Sequence, residues 1–151
     1  MTRVFIGIGT NLGDRAGNIR RAKELLTEVG IAVERESSVA ETDPVDYLDQ
    51  PAFLNQIIIA NTGLSAHDLL KTLLGIETRM GRVRTVDKGP RVIDLDILLY
   101  RNDIIDTPEL VVPHYAISKR AFILRHLAEL DPELRDPRDG RRFAKISAQP
   151  V

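Results

Sequence analysis

The chain has 151 residues, 43% hydrophobic and 28% charged, and its 21 basic and 22 acidic residues leave a net charge of −1. That size and balance fit one domain with a real core, exclude a mainly disordered chain, and argue against a protein built for non-specific nucleic-acid binding. Cysteine is absent and no apolar run reaches the length of a membrane span, so disulfides, thiolate metal sites and cysteine nucleophiles drop out; Met1 to Gly7 has no basic segment leading into an apolar stretch, so no secretory signal is expected, and a cytoplasmic enzyme or binding domain is expected, without nucleic-acid or membrane partners.

Val4 to Gly9 is apolar and β-rich and predicts a first strand, and Gly9-Thr10-Asn11-Leu12-Gly13-Asp14 behind it is turn chemistry. Ile19, Ala22, Leu26 and Val29 share one helical face, with Gly30 as the stop. Ile31 to Ala40 predicts a second strand. Glu41 to Gln50, with prolines at 44 and 51 and three aspartates, predicts a loop, and Phe53 to Asn61 a third strand. Ser65 caps a second helix, with Asp68 three residues on; Leu69, Leu70, Leu73, Ile76 and Met80 form its apolar stripe and Gly81 ends it. Arg82 to Arg91 is a second long loop and Val92 to Tyr100 a fourth strand, with Ile104 to Ile105 a short hairpin partner across Asn102-Asp103. Ser118 to Leu130 predicts a third helix stopped by Asp131-Pro132, and Arg138-Asp139-Gly140 a closing hairpin. The order predicts an α+β fold: a single domain over 1–151 with a ferredoxin-like βαββαβ core, a mainly antiparallel sheet and a C-terminal helix. Two loops of about ten residues in so compact a domain suit binding segments or lids.

The strongest chemical signal is Arg91-Val92-Ile93-Asp94-Leu95-Asp96-Ile97-Leu98-Leu99. On a strand, Ile93, Leu95, Ile97 and Leu99 share the core face while Asp94 and Asp96 share the other, their Cα atoms roughly 6.5–7 Å apart. Aspartate is a poor strand former and like charges on one face repel, so something positive must stand in front of them. Arginine partners on an exposed strand face would serve. So would a divalent cation: oxygen ligands on a rigid strand, with positions left for water and substrate phosphate, suit magnesium.

Arg82, Arg84, Lys88 and Arg91 lie within ten residues just upstream, opposed only by Asp87. The chain carries sixteen arginines against five lysines, and the planar guanidinium fork grips phosphate through two bonds. A basic loop leading into a metal-binding strand is what nucleoside triphosphate chemistry requires; by itself the loop could equally be a solvated basic segment. Gly7, Gly9 and Gly13 mimic a dinucleotide-binding fingerprint, but the spacing is one residue too long and no clean acidic residue ends the next strand.

Gly89-Pro90-Arg91, two residues, then Asp94-Leu95-Asp96-Ile97-Leu98 resembles the signature of the 6-hydroxymethyl-7,8-dihydropterin pyrophosphokinase family of folate biosynthesis. Ile8 to Gly13, Thr42 to Val45, Asp49 to Asn55, Ile76-Glu77 with Gly81 to Arg84, Val112 to Tyr115 and Arg120 to Phe122 agree with it in order and spacing. The resemblance implies α/β/α layering and a one-step transfer, in which the pterin hydroxymethyl oxygen attacks the β-phosphorus of ATP and AMP leaves. It implies two magnesium ions on Asp94 and Asp96, and catalytic roles for Arg82, Arg91, Asp94 and Asp96, with Arg84 assisting. ATP would meet Glu77, Arg82, Arg84, Arg91, His114, Tyr115 and Arg120. The pterin would meet Thr42, Pro44, Val45, Asn55 and Asp94, with its ring between Phe53 and Phe122. The implied partners are these two small molecules and the implied state is a monomer.

A flat heterocycle with polar edges does need stacking faces and in-plane donors and acceptors, which Phe53 beside Asn55 supplies. Taken alone, either phenylalanine suits core packing, His114 a surface loop and Glu77 a helix face. Lys88 stands where many relatives carry an aromatic residue, and Leu74, Glu109 and Val111 replace groups that assist at the nucleotide in some members. A non-catalytic RNA-binding module and a two-metal phosphohydrolase are the competing classes; the scarcity of aromatics tells against the first.

Overall fold

The computed structural model describes residues 1–44, 49–82 and 90–146. Strand β1 (Thr2–Thr10) lies inside the sheet, paired on one side with β4 (Phe53–Thr62) and on the other with β5 (Asp94–Tyr100). β2 (Ala32–Glu36) and β3 (Ala40–Thr42) both pair with β4, giving the order β2-β4-β1-β5 with every pairing antiparallel. This is the expected ferredoxin-like arrangement.

The single strand expected over 31–40 is broken. Ser37 donates its N–H to the Ile57 carbonyl and its Oγ accepts the Ile57 N–H, both at 2.9 Å. The hydroxyl takes over a ladder bond, and the chain bends before β3.

Helix α1 (Arg15–Glu28) is capped by Asp14, whose carboxylate accepts the Gly17 N–H at 3.1 Å. Helix α2 (Ala66–Arg79) is capped by Ser65, as its sequence predicts, through the Asp68 N–H at 3.2 Å. α2 ends on Gly81 at φ 90°, and the next N–H, that of Arg82, returns to the Glu77 carbonyl at 3.0 Å. Glycine accepts that left-handed conformation without strain, and the closure starts the Arg82 segment beside the sheet.

Both helices cover one face of the sheet, burying Ile6, Ile8, Leu26, Ile58, Leu69 and Leu73. The other face, with Phe5, Ile57, Ile59 and Leu98, packs against α3 (Ala121–Leu130) and Phe143. The layering is therefore α/β/α. Fully burying one such aliphatic side chain contributes about 1.5–3 kcal/mol, so the two clusters dominate stability.

Three local expectations are corrected. Register slips between β1 and β5, with Phe5 opposite Leu99 but Ile6 opposite Ile97. The extra residue, Leu98, is a bulge that moves Leu99 to the α3 side and Tyr100 to the α1–α2 side. The short strand β6 (Ile105–Asp106) pairs with β7 (Val111–Val112), not with the fourth strand. Finally, the helix expected over 118–130 is interrupted: a 3-10 turn over Ile117–Lys119 gives way at Arg120, extended at φ −122° and ψ 112°, before α3 begins. Near the C-terminus, Arg135 bridges Arg142 around Gly140, which matches the expected hairpin.

Candidate active site

Two glycines make the floor. In the ladder Gly7 stands opposite Asp96, and Gly9 stands between Asp94 on β5 and Asn55 on β4. Without side chains at 7 and 9, a groove opens over β1 between the two neighbouring strands. A Cβ at Gly9 would come within 3.1 Å of Asn55 Oδ1 and 3.9 Å of the Phe53 ring. The glycines that imitate a dinucleotide fingerprint thus clear space for a ligand by a different route.

The cleft above this floor gathers Thr42, Phe53, Asn55, Arg91, Asp94, Asp96, His114, Tyr115, Arg120 and Phe122. Strand alternation sets Phe53 and Asn55 on one side of β4, and β3 brings Thr42 opposite Phe53. Asn55 Nδ2 donates to Thr42 Oγ1 at 2.6 Å, which fixes the plane of the amide. The break before α3 brings Arg120 and Phe122 to the cleft's edge.

At the start of β5 the two carboxylates differ. Asp94 is compensated: Arg82 Nη1 lies 2.9 Å from its Oδ1 and Arg91 Nη1 lies 3.2 Å from its Oδ2. Arg91 also spreads over Phe53, its Cζ 5.6 Å from the ring centroid. Asp96 faces His114 Nε2 at 3.7 Å, with 41% of its side chain open to the cleft. Enclosure among protein atoms, then the charge and hydrogen bond of Asp94, then the charge of Glu77 push Asp96 well above the usual carboxylate range, against a smaller opposing pull from Arg91. His114 is lowered, first by burial and then by Arg120, with Asp94 opposing. Its Nδ1 accepts the Ala116 N–H at 3.1 Å, so the neutral ring carries its proton on Nε2, toward Asp96.

Glu77 and Arg82, expected at ATP, are not in the cleft's lining; Arg82 reaches it through Asp94. Glu77 is 4% exposed; its Oε1 lies 2.9 Å from Arg82 Nη1 and its Oε2 accepts the Leu95 N–H at 2.8 Å. Pro44 is half-buried outside the lining. Arg84, Val45 and Lys88 fall outside the described residues. Sequence reasoning missed Asp43, which lines the cleft beside Thr42, and Asn11, which is 1% exposed and bonded to both long loops. Both lie in segments that carry the family resemblance, Ile8 to Gly13 and Thr42 to Val45, but neither side chain was given a role of its own.

Among the described residues, no group of three or more His, Asp or Glu side chains is placed to hold a metal. Two like-charged carboxylates side by side, one with its proton affinity raised by the other, still fit a cation bound by one or two protein oxygens and completed by substrate phosphate. Magnesium binds in that way.

A family profile described as 7,8-dihydro-6-hydroxymethylpterin-pyrophosphokinase (HPPK) matches residues 5–132. The chain is similar to the 2-amino-4-hydroxy-6-hydroxymethyldihydropteridine pyrophosphokinase of Bacillus subtilis, at 43% identity over 127 residues, covering 83% of this chain and 76% of that protein. It is similar to the protein of the same name from Pseudomonas aeruginosa, at 41% identity over 149 residues, covering 97% and 90%. The folic acid synthesis protein fol1 of Schizosaccharomyces pombe is 40% identical over 134 residues, which cover 88% of this chain but only 18% of that longer protein. Among solved structures, Plasmodium falciparum HPPK-DHPS with pteroate superimposes with a TM-score of 0.75 at 16% identity, over 95% of this chain and 41% of that one. At that identity the likeness speaks for the fold.

Proposed function

This chain belongs to the 7,8-dihydro-6-hydroxymethylpterin-pyrophosphokinase family, and from that premise we propose that residues 1–151 form one pyrophosphokinase unit acting on ATP and 6-hydroxymethyl-7,8-dihydropterin. The observation that carries the reading is the position of Arg91. Its guanidinium reaches Asp94, at the end suited to phosphate, and covers Phe53, at the end suited to a stacked ring. One side chain thus spans the junction where a phosphoryl group must pass from one ligand to the other.

In the reaction the pterin hydroxymethyl oxygen forms a bond to the β-phosphorus. The bond from that phosphorus to the bridging oxygen of AMP breaks, and AMP leaves with the electron pair. The hydroxyl proton passes to solvent, and no residue is assigned as a dedicated base. Phe53 and Phe122 stack the pterin, and the Asn55 amide, held by Thr42, meets its polar edge. Asp94 and Asp96 would hold magnesium, two ions in this reading, which when bound offsets triphosphate charge. Arg82 and Arg91, released from Asp94, stabilise the charge that develops on the transferred group. His114, Tyr115 and Arg120 line the remaining wall and contact the nucleotide, and Arg84 assists from the loop. The unit works as a cytoplasmic monomer; no helix among the described residues is long and apolar enough to cross a membrane.

The test is incubation with magnesium, ATP and the reduced pterin alcohol, with the nucleotides resolved by chromatography. AMP that appears only with the pterin present is the expected result. Phosphate released from ATP without pterin would replace this reading by hydrolysis.

A further inference from the structure

Helix α3 carries two stripes. Ile123, Leu124, Leu127 and Leu130 enter the core with Ile57 and Leu98. Phe122, His126 and Glu129, spaced four and three residues apart, share the flank beside them. Phe122 lines the cleft. Glu129 is fixed at the far end of the flank: its two oxygens accept the backbone N–H and the hydroxyl of Ser38, both at 2.8 Å. Arg35 Nη1 donates to the Leu130 carbonyl at 2.7 Å and holds the same end. The near end is held differently, since Arg120 stands extended before the first turn and offers it no side-chain cap.

His126 lies between these ends and is buried. Its ring meets that of Phe122 edge-on, with 6.1 Å between centroids and 75° between planes, an arrangement that aromatic pairs favour. Helical side chains lean toward the N-terminus, so residue 126 covers the turn that carries residue 122. The Nδ1 atom of His126 is enclosed and makes no hydrogen bond. A leucine would fill the place without leaving a polar atom unmet, so burial alone does not call for an imidazole.

We propose that His126 is a positioning residue for the acceptor: its ring backs Phe122 and sets the angle at which Phe122 stacks on the pterin, and only the neutral ring does so. This rests on the functional reading above. The charged groups around His126 are Glu129 and Arg125 of its own helix, with Arg35 of β2 acting on Glu129. Glu129 favours the charged ring, whereas burial and Arg125 oppose it. A charged imidazole carries a proton on both nitrogens, and the enclosed Nδ1 has no acceptor to receive one. Both oxygens of Glu129 are already engaged by Ser38. The charged ring therefore has to leave its place, and Phe122 loses its backing.

The test titrates 6-hydroxymethylpterin by fluorescence, with magnesium and α,β-methylene-ATP held at saturation, and measures nucleotide affinity separately by calorimetry. His126→Ala removes the backing. At about pH 7.5 it should weaken pterin binding about fivefold or more, the scale of a lost aromatic pair, while nucleotide affinity moves less than about twofold. His126→Phe restores an aromatic edge that takes no proton, and should bind pterin within about twofold of the wild type at that pH. On going from about pH 7.5 to 5, the wild type should lose about threefold more pterin affinity than His126→Phe does. If either variant fails to fold, His126→Leu replaces it: it has neither an aromatic edge nor a titrating nitrogen, and should bind pterin about twofold or more weaker at pH 7.5 without the extra acid loss. A histidine that only fills space would shift pterin and nucleotide affinity together and leave the two pH profiles parallel. Either result overturns the positioning role and leaves the functional reading standing. A wild type that binds the nucleotide but no pterin at any pH overturns both.

Discussion

The Glu77 carboxylate, carried by α2, accepts the backbone N–H of Leu95 at 2.8 Å, at the residue between Asp94 and Asp96. β5 is an edge strand of the sheet, and the helix side chain satisfies a donor that no neighbouring strand takes. Its second oxygen holds Arg82. Glu77→Ala is expected to cost about 2–4 kcal/mol, the range for breaking a buried charged contact. It should also lower turnover by misplacing both aspartates. Urea denaturation and steady-state rates check the two effects, and a variant as stable as the wild type would refute the structural part.

Asp94 and Asp96 are expected to separate in stability though not in activity. Either change to asparagine should reduce turnover at least about 100-fold, as loss of a key electrostatic contact in a transfer site does. Asp94→Asn strips the carboxylate charge from Arg82 and Arg91 and should melt earlier than the wild type. Asp96→Asn relieves repulsion by Asp94 and Glu77 and should melt no earlier in magnesium-free buffer. Calorimetry of both variants in chelator decides the matter.

Gly9→Ala is expected to act on the side of the cleft proposed for the pterin. The new methyl group would sit 3.1 Å from Asn55 Oδ1, and the amide must give way because the β1 backbone cannot. The pterin KM should rise about tenfold, the scale of a bond or two lost in a tight pocket. The ATP KM should move less. Equal changes in both constants would mean a general distortion.

His126 supplies a pH signature. It is 4% exposed, its Nδ1 has no hydrogen-bond partner, and its ring meets Phe122 edge-on at 6.1 Å. Burial lowers its pKa from 6.5, with Arg125 adding to the shift and Glu129 opposing it. A lowered value means the unfolded chain binds the proton more readily, so the contribution is present above 6.5 and is lost as pH falls toward the native value. His126→Leu should flatten the acid side of the stability profile in that window. Urea midpoints between pH 7 and about 5 check it: the wild-type midpoint should fall relative to that of the variant as the pH drops.

The fold was legible where local chemistry and tertiary demand agree. The Ser65 cap, the Gly30 and Gly81 stops and the alternation that separates Asp94 and Asp96 from Ile93, Leu95 and Ile97 could all be read from residue types. Misreadings arose where a long-range bond overrides the local pattern. Ser37 breaks a strand because Ile57 stands across from it, and the Leu98 bulge depends on partners far upstream in the chain, Phe5 and Ile6. At the site, residue types pointed to carboxylates and arginines. Asn11 stayed hidden because its partners, Gln50, Pro51 and Arg91, lie far away in the chain.

The displaced register at Leu98 lets one ribbon serve two masters. Upstream of the step, β5 offers acids toward α3; downstream, it offers two consecutive leucines to that same layer, while Tyr100 swings to the opposite layer and donates its hydroxyl to the Leu64 carbonyl. Excising Leu98 would restore an unbroken zigzag with Leu99 and Tyr100 on their present faces, and would take one leucine out of the α3 layer while leaving both carboxylates where they are. Damage from that deletion would therefore emerge as lost cohesion of the whole chain, with the chemistry at the far end its last casualty.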